Sequence, residues 1–250
     1  EKGVVESGIS TTPTISVRNL PIIQTGMAVD SKEGGTGLPN FHYLDRKKEQ
    51  AFYFWGNDAI MLDDLTAKSG MKTLFQRMPD KLTLNCMATY EMGANWSINP
   101  AINVALGEKM RDFGEILCIT ELERRGKMEK KSRRIKKRLL KLGLKIKDRK
   151  DQNKKTRKKH IRRAKRLIEK VANLENEIMP DLVTFYSPWL DHFGHFTGPF
   201  SDETLSPTGE LNRLDFWMGR VVKTFKDANV YDKTLFTLTG DHGLTPTKYL

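Results

Sequence analysis

The sequence predicts an α/β protein with a mostly parallel sheet and an inserted basic helical hairpin. Two short runs rich in β-branched and aromatic residues, 182–186 and 234–239, are bounded by proline or glycine, as strands buried on both faces are. Between them, residues 211–225 carry apolar side chains at helical spacing, which completes a strand–helix–strand crossover. Open sheets of this kind bind ligands at the carboxyl ends of their strands. The functional site is therefore expected at that edge of the sheet.

Carboxylate and imidazole pairs follow both predicted strands. Asp191 and His195 are four residues apart, so on a helical turn they share one face. Asp241 and His242 are adjacent, and both can point into one site only from an irregular turn, which the flanking glycines permit. Carboxylate oxygen with neutral imidazole suits zinc, and also manganese or iron. An Asp-x-x-x-His pair alone is usually a surface pair, but two pairs after two buried strands indicate a divalent metal site.

A second informative segment, 10–26, combines clustered hydroxyls and Pro13 with the start of a buried helix. Ser16 or Asn19 is expected near the amino-terminal cap of that helix. A hydroxyl in this position lies where backbone N–H groups and the helix dipole favour an anion. From this segment alone, a simple capping role for Ser16 and Thr14 is the favoured interpretation.

The net charge of +12 is concentrated in one part of the chain. Residues 124–170 contain 25 Lys and Arg against four Asp and Glu, a net charge of +21, so the remainder is acidic. Apolar residues spaced 4-3-4 on both sides of a polar break predict an antiparallel helical hairpin over 124–178, inserted between core segments 1–123 and 179–250. The predicted seams are Ile135, Leu139, Leu142 and Ile146, then Ile161, Ala164, Ile168, Val171 and Ile178.

Several roles for this basic hairpin stay open. It can be a solvated arm, or a lid whose charge concentrates an anionic substrate. It can also contact nucleic acid or an anionic membrane surface through residues 124–170. Because no aromatic residue lies in that range, nucleic acid would be contacted through its backbone and not by base stacking.

The sequence does not decide the compartment or the redox state of the cysteines. Neither a transmembrane run nor a signal peptide is visible. Cys86 and Cys118 are compatible with one disulfide or with two free thiols.

Three motifs carry a family resemblance. They are Asp191-His192-Phe193-Gly194-His195-Phe196-Thr197-Gly198-Pro199, Asp215 in the following helix, and Leu238-Thr239-Gly240-Asp241-His242-Gly243. Together they resemble the type I phosphodiesterase and nucleotide pyrophosphatase family of the alkaline phosphatase superfamily. The resemblance implies an alkaline-phosphatase-like three-layer sandwich and two divalent metal ions, Zn²⁺ first and Mn²⁺ as the alternative. It assigns Asp191 and His195 to one ion, and Asp241 and His242 to the other.

The segment Pro13-Thr14-Ile15-Ser16-Val17-Arg18-Asn19, continuing to Thr25-Gly26, is similar to the nucleophile loop of that family. This register makes Ser16 the nucleophile and a metal ligand, and Asn19 a hydrogen-bond donor to the phosphoryl oxygen. Thr14 is the second candidate for the nucleophile. The implied activity is hydrolysis of a phosphodiester or nucleotide pyrophosphate, with a small phosphate ester as substrate and a phosphoryl-serine intermediate.

The resemblance leaves further expectations and alternatives. One more ligand for each metal is expected, upstream of residue 1 and downstream of residue 250, and an extracytoplasmic location is favoured. A sulfatase is disfavoured because Ser16-Val17-Arg18 lacks the Ser/Cys-x-Pro-x-Arg pattern. The alternatives are a phosphoethanolamine-type transferase, which shares the site plan, and a non-catalytic scaffold that binds polyanions.

Overall fold

A computed structural model describes residues 3–10, 14–28, 42–54, 58, 61–99, 110–147 and 154–246. The chain divides into two compact units. The first unit comprises Glu1–Leu117, Asp181–Trp217 and Phe236–Leu250, and the second comprises Cys118–Pro180 and Met218–Leu235. Among the helices of these described ranges, none combines the length and the apolar content that crossing a bilayer requires. The predicted domain boundaries at 124 and 178 stay a prediction.

A parallel sheet lies in the first unit. It contains β3 (Thr83–Cys86), β4 (Trp96–Ile98) and β5 (Leu182–Phe185) in the order β4-β3-β5. The central strand β3 is buried along its whole length. The side chain of Asn85 in β3 donates to Ser97 Oγ of β4 at 2.9 Å and accepts from Thr184 Oγ1 of β5 at 2.7 Å. This buried polar bridge joins the three strands, and the predicted α/β class with a parallel sheet is confirmed.

The second predicted strand, 234–239, is wrong. These residues form no strand, and Leu235 and Leu238 are exposed. An extended segment becomes a strand only when a neighbour satisfies its backbone N–H and C=O groups, and the described residues provide no such neighbour for this segment. The crossover therefore begins in a strand and ends in an irregular segment. The three-layer sandwich stays a prediction.

A two-stranded antiparallel sheet is formed by β1 (His42–Asp45) and β2 (Gln50–Tyr53) in the same unit. It contributes to a hydrophobic cluster with the first helix, α1 (Ser16–Thr25). Tyr186, which follows β5, packs against this cluster. The buried members of the cluster are Val17, Leu20, Phe52, Phe54, Leu62 and Tyr90.

Six further α-helices lie within the described residues. The predicted helix 211–225 is found as α7 (Glu210–Ala228), which begins one residue earlier and ends three residues later than predicted. Short 3₁₀ helices occupy Glu175–Glu177 and Tyr231–Lys233. The remaining α-helices are α2 (Leu62–Lys68), α3 (Phe113–Lys147), α4 (Lys154–Ala172), α5 (Trp189–Thr197), α6 (Asp202–Leu205) and α7 (Glu210–Ala228).

The basic segment forms α3 and α4, and residues 148–153 between them lie outside the described part. In α3, Ile135 and Leu142 are buried and Leu139 is half-buried, whereas the side chain of Ile146 is not described. The seam predicted for α4 is wrong at Ile161 and Ile168, which are exposed. The half-buried positions are His160, Ala164, Leu167 and Val171, continued by buried Leu174.

The displaced seam has a simple cause in the sequence of α4. Leu167 and Ile168 are adjacent and both apolar, so heptad spacing alone cannot decide which of them faces inward. No coiled coil is evident over the described residues of α3 and α4. Their antiparallel arrangement stays a prediction.

Candidate functional site

The start of α1 is fixed by a contact that replaces a missing helical hydrogen bond. Pro21 lies inside the helix and has no N–H to give to the carbonyl of Val17. The hydroxyl of Tyr90, a fully buried side chain, donates to that carbonyl at 3.1 Å. At its other end the helix terminates at Gly26, whose φ of 72° is left-handed. The first turn of α1 is thereby held against the hydrophobic cluster.

Ser16 is the first residue of α1 and stands beside two polar side chains from distant parts of the sequence. Its Oγ lies 3.1 Å from Nε2 of His242. Its side chain also interacts with the hydroxyl of Tyr186. Ser16 is half-buried, whereas Thr14 is exposed. The hydroxyl of Ser16 is thus oriented by its neighbours at the amino end of a ten-residue helix.

Helix α5 carries Asp191 and His195 and is anchored at its first residue. Trp189 is buried, and its Nε1 donates to the carbonyl of Arg111 at 3.0 Å. A side chain at Gly194 would lie 2.6 Å from the Leu244 side chain, so the absence of one allows segment 240–244 to approach the helix closely. Close packing at this glycine brings the second Asp-His pair towards the first.

The carboxylates of both predicted pairs, Asp191 and Asp241, lie beside the imidazole of His242. Its Nε2 is 3.8 Å from Asp191 Oδ1 and 3.6 Å from Asp241 Oδ2. His195 Nε2 lies 3.4 Å from the same Asp191 oxygen, but half of the His195 side chain is exposed to solvent. Ser16, Asp191, His195, Asp241 and His242 are therefore linked by short contacts within the first unit. Residues more than two hundred positions apart in the chain contribute to this site.

The hydrogen bond at the other nitrogen of His242 sets its tautomer. Nδ1 lies 3.0 Å from the backbone carbonyl of Gly243. A carbonyl oxygen only accepts, so Nδ1 must carry the proton, and the neutral ring then has its lone pair on Nε2. This lone pair points to the side where Ser16 and the two carboxylates are found.

The donor set has the chemistry of a cation site. Asp191 Oδ1 and Asp241 Oδ2 are buried and have no hydrogen-bond partner among the described residues. Buried carboxylate oxygens without a partner are costly unless a cation or a donor satisfies them. The described residues include no group of three or more His, Cys, Asp or Glu arranged to hold a metal ion. The two Asp-His pairs have the donor types that metal ions bind, but the described residues bring no third such ligand to either pair.

Asn19 lies in the first turn of α1, close to Ser16 in sequence. It is buried, and its Nδ2 donates to the carbonyl of Ile15 at 3.0 Å. The same carbonyl also accepts from the backbone N–H of Asn19, so the side-chain bond fixes the Asn19 amide against the start of the helix. Asp215, part of the motif in α7, is exposed.

Sequence reasoning missed Tyr186 as a site residue. Its backbone N–H donates to the carbonyl of Cys86 at 2.9 Å, which places it at the carboxyl end of β5. Burial, followed by the negative charge of Asp241, raises the pKa of the Tyr186 hydroxyl above its ordinary value. The Ser16 side chain lowers this pKa by a smaller amount, so the phenol stays protonated beside Ser16. The only signal in the sequence is that a residue with a polar tip directly follows a predicted strand.

A second missed group is Glu115 at the start of α3. It is fully buried, and Ser187, next to Tyr186, donates to its Oε1 at 3.5 Å. Burial raises the pKa of this carboxyl to about 7, with a smaller contribution from Asp112. Its Oε2 has no hydrogen-bond partner within the described residues. Glu115 thus supports the loop that joins β5 to α5 and is neutral below about pH 7.

Cys86 and Cys118 are both buried free thiols, so the disulfide that the sequence left open is not formed.

Comparison with known proteins identifies the family. The profile of the type I phosphodiesterase / nucleotide pyrophosphatase family matches residues 1–250, the whole chain. No curated protein and no solved structure matches the chain. The chain belongs to the type I phosphodiesterase / nucleotide pyrophosphatase family.

Membership has direct consequences for activity. The protein is a hydrolase acting on phosphoric ester bonds, and its activity is of the phosphodiesterase and nucleotide pyrophosphatase type. The family is generally metal-dependent, and a phosphate-ester small molecule is the matching substrate class. Nucleic-acid or membrane contact through 124–170 stays a prediction.

Proposed function

We propose that this family member hydrolyses a phosphodiester or nucleotide pyrophosphate bond with Ser16 as the nucleophile. The observation that carries the proposal is the 3.1 Å contact between Ser16 Oγ and His242 Nε2, with the carboxylates of Asp191 and Asp241 beside the same nitrogen. A phosphoryl group bound in front of Ser16 would also face the amino end of α1. The N–H groups and dipole of that end favour its negative charge.

We propose further that Asp191 and His195 hold one divalent metal ion, and that Asp241, His242 and Ser16 hold the other. Zn²⁺ is the favoured ion and Mn²⁺ the alternative, because carboxylate oxygen and imidazole nitrogen suit both. The support comes from the two buried carboxylate oxygens without a partner and from the lone pair on His242 Nε2. Two ions bound there would supply the positive charge that activates a serine hydroxyl and neutralises phosphoryl oxygens.

The proposed reaction has two displacements at phosphorus. The oxygen of Ser16 attacks phosphorus, the bond from phosphorus to the leaving oxygen breaks, and the proton lost by Ser16 is transferred through solvent to that leaving oxygen. The product is a phosphoryl-serine ester, from which water then displaces the serine oxygen and restores the Ser16 hydroxyl. The hydroxyl of Tyr186 holds Ser16 in one orientation before the attack, which lowers the entropy cost of reaching the reactive geometry.

We also propose that the side chain of Asn19 donates a hydrogen bond to the phosphoryl oxygen. Its side-chain amide nitrogen is a hydrogen-bond donor, and the residue lies in the first turn of α1 close to Ser16 in sequence. We also propose that residues 1–123 and 179–250 form an alkaline-phosphatase-like three-layer sandwich and that residues 124–178 form an antiparallel helical hairpin. An alcohol that replaced water in the second displacement would make the protein a phosphoethanolamine-type transferase.

The test is turnover by the zinc-loaded full chain with a dinucleotide-type diester, a nucleotide pyrophosphate and a phosphate monoester. We expect the diester or pyrophosphate to be preferred, and Ser16→Ala to lose at least a thousandfold in kcat/KM without change in fold. Ser10→Ala, a hydroxyl removed from the same segment, is the matched control. Mass spectrometry after rapid acid quench should find a phosphoryl group on Ser16.

Four outcomes contradict the proposal. Full turnover by Ser16→Ala removes Ser16 from the reaction, and loss of turnover in Thr14→Ala alone moves the nucleophile to Thr14. Preference for an added alcohol over water assigns the transferase activity. Absence of turnover together with retained binding of polyanions favours the non-catalytic scaffold.

A further inference from the structure

The two basic helices keep most of their positive charge unpaired by carboxylates. Within the described residues, the salt bridges of segment 124–170 involve Arg124, Arg125 and Arg133, all in α3. The described Lys and Arg side chains of α4, from Arg157 to Lys170, are exposed and form no salt bridge in the described part. A cationic surface of this density attracts polyanions of any kind, so charge alone does not identify the partner.

Aliphatic side chains lie among these cations on α4. Ile161 and Ile168 are 41% and 54% exposed, and because they are seven residues apart they lie on the same face of the helix. Arg157 and Lys165 occupy the preceding and intervening turns of that face, and both are exposed. This face borders the half-buried positions of α4 described above, and both of its isoleucines remain exposed.

Helix α3 repeats the same arrangement. Leu140 and Leu144 are 67% and 52% exposed, and they are one turn apart. Lys136 lies one turn before Leu140, and Lys141 lies beside the pair; both are exposed. Each basic helix therefore presents an exposed aliphatic pair flanked by cations, and we call these two faces the cationic-aliphatic faces.

We propose that the cationic-aliphatic faces of α3 and α4 bind the surface of an anionic phospholipid bilayer. Cations near such a surface are attracted by its negative potential, and aliphatic side chains on the same face enter the boundary between headgroups and acyl chains. Nucleic acid is the weaker match. Contact with its backbone requires only charge, and base stacking requires aromatic rings, which 124–170 lacks.

The test is co-sedimentation of the full chain with phosphatidylcholine vesicles, with and without about one third phosphatidylglycerol. We expect binding to the anionic vesicles only, weakening steeply between about 50 and about 200 mM salt. The double variant Ile161→Ser/Ile168→Ser keeps every charge and should lower the partition coefficient about tenfold, since half-exposed aliphatic side chains lose their transfer into the boundary. The double variant Arg157→Gln/Lys165→Gln should lower it about as much or more.

Matched controls make the result decisive. Leu205→Ser/Leu211→Ser removes two similarly exposed leucines outside the basic helices and should leave vesicle binding unchanged. A short DNA duplex is the competing probe, and its binding should not respond to Ile161→Ser/Ile168→Ser. Absence of binding to anionic vesicles at low salt would overturn the proposal. If vesicle binding is unchanged in Ile161→Ser/Ile168→Ser, the surface binds polyanions in general, and this result would also overturn the proposal.

The vesicle result does not depend on the proposed hydrolysis. Turnover of a soluble diester, measured without vesicles, should be the same for the wild-type chain and for Ile161→Ser/Ile168→Ser. A chain that binds anionic vesicles but lacks turnover would keep the membrane inference and reject the proposed function.

Discussion

Replacing Asp241 by Asn should stabilise the metal-free protein while it removes activity. Asp241 Oδ2 is buried, lacks a hydrogen-bond partner in the described residues, and lies beside His242 with the carboxylate of Asp191 close by. Without a cation, the two negative charges near one imidazole repel each other and have lost part of their hydration. Asparagine keeps the shape of the side chain and removes one of the charges.

The expected change in stability follows from the Oδ2 of Asp241, which is unpaired within the described residues. A buried acceptor without a partner costs about 1 to 3 kcal/mol, and more when it is charged. The Asp241 side chain retains 16% exposure and the imidazole contributes a weak contact at 3.6 Å, so the lower part of that range applies. We therefore expect Asp241→Asn to raise the free energy of unfolding by about 1 kcal/mol, which for a chain of this size is about 2 to 4 °C in Tm.

The assay compares melting of wild type and Asp241→Asn in chelator and in excess Zn²⁺, together with diester turnover. The variant should melt higher in chelator, gain less from Zn²⁺ than wild type, and lose at least a hundredfold in kcat/KM. Asp80→Asn, a change at an exposed turn residue, is the matched control for charge and should change neither quantity. A variant that melts lower than wild type in chelator, or that keeps its turnover, would refute the reasoning.

Three further predictions concern groups around the site. Tyr186→Phe removes the hydroxyl that contacts the proposed nucleophile; kcat should fall about tenfold to a hundredfold with little change in KM, as steady-state kinetics would show. The pKa of Glu115 is raised from 4.5 to about 7, so the folded protein keeps a proton that the unfolded chain has lost, and stability falls as the pH rises between these two values. In denaturation experiments, Glu115→Gln should raise the free energy of unfolding by about 2 kcal/mol at pH 8 and by little at pH 5. Gly194→Ala should displace Leu244 and lower turnover, whereas Gly219→Ala, with open space around it, should not.

Of the two strands that the sequence predicts, only β5 is found in the parallel sheet of the described residues. The run 182–186 is β-branched and aromatic, and β5 is found there, paired with β3. The run 234–239 has the same composition and forms no strand, with Leu235 89% exposed. Local composition indicates which segments can form a strand. Whether a strand forms depends on a pairing partner from elsewhere in the chain, and a single sequence does not show which segments pair.

The candidate site residues could be proposed from their types, whereas the residues that support them could not. One Asp-His pair is usually a surface pair, but two such pairs after two apolar runs have the carboxylate and imidazole groups that bind divalent metals. Tyr186 and Glu115 act through burial, which decides that one hydroxyl contacts Ser16 and that one carboxyl is neutral below about pH 7. The close approach at Gly194 likewise depends on Leu244, fifty residues further along the chain.

The contact between Ser16 and His242 admits two chemical interpretations, and the other neighbours of the ring separate them. In a serine hydrolase that uses histidine as base, an acid holds Nδ1 and the serine faces Nε2. Here the backbone carbonyl of Gly243 holds Nδ1, and the carboxylates of Asp191 and Asp241 lie on the Nε2 side together with Ser16. Two carboxylate oxygens, a hydroxyl oxygen and a nitrogen lone pair then lie close together, and the two carboxylate oxygens have no hydrogen-bond partner among the described residues. A cation satisfies such a set of donors and a proton relay does not, which favours metal activation of Ser16 over catalysis by a serine–histidine pair.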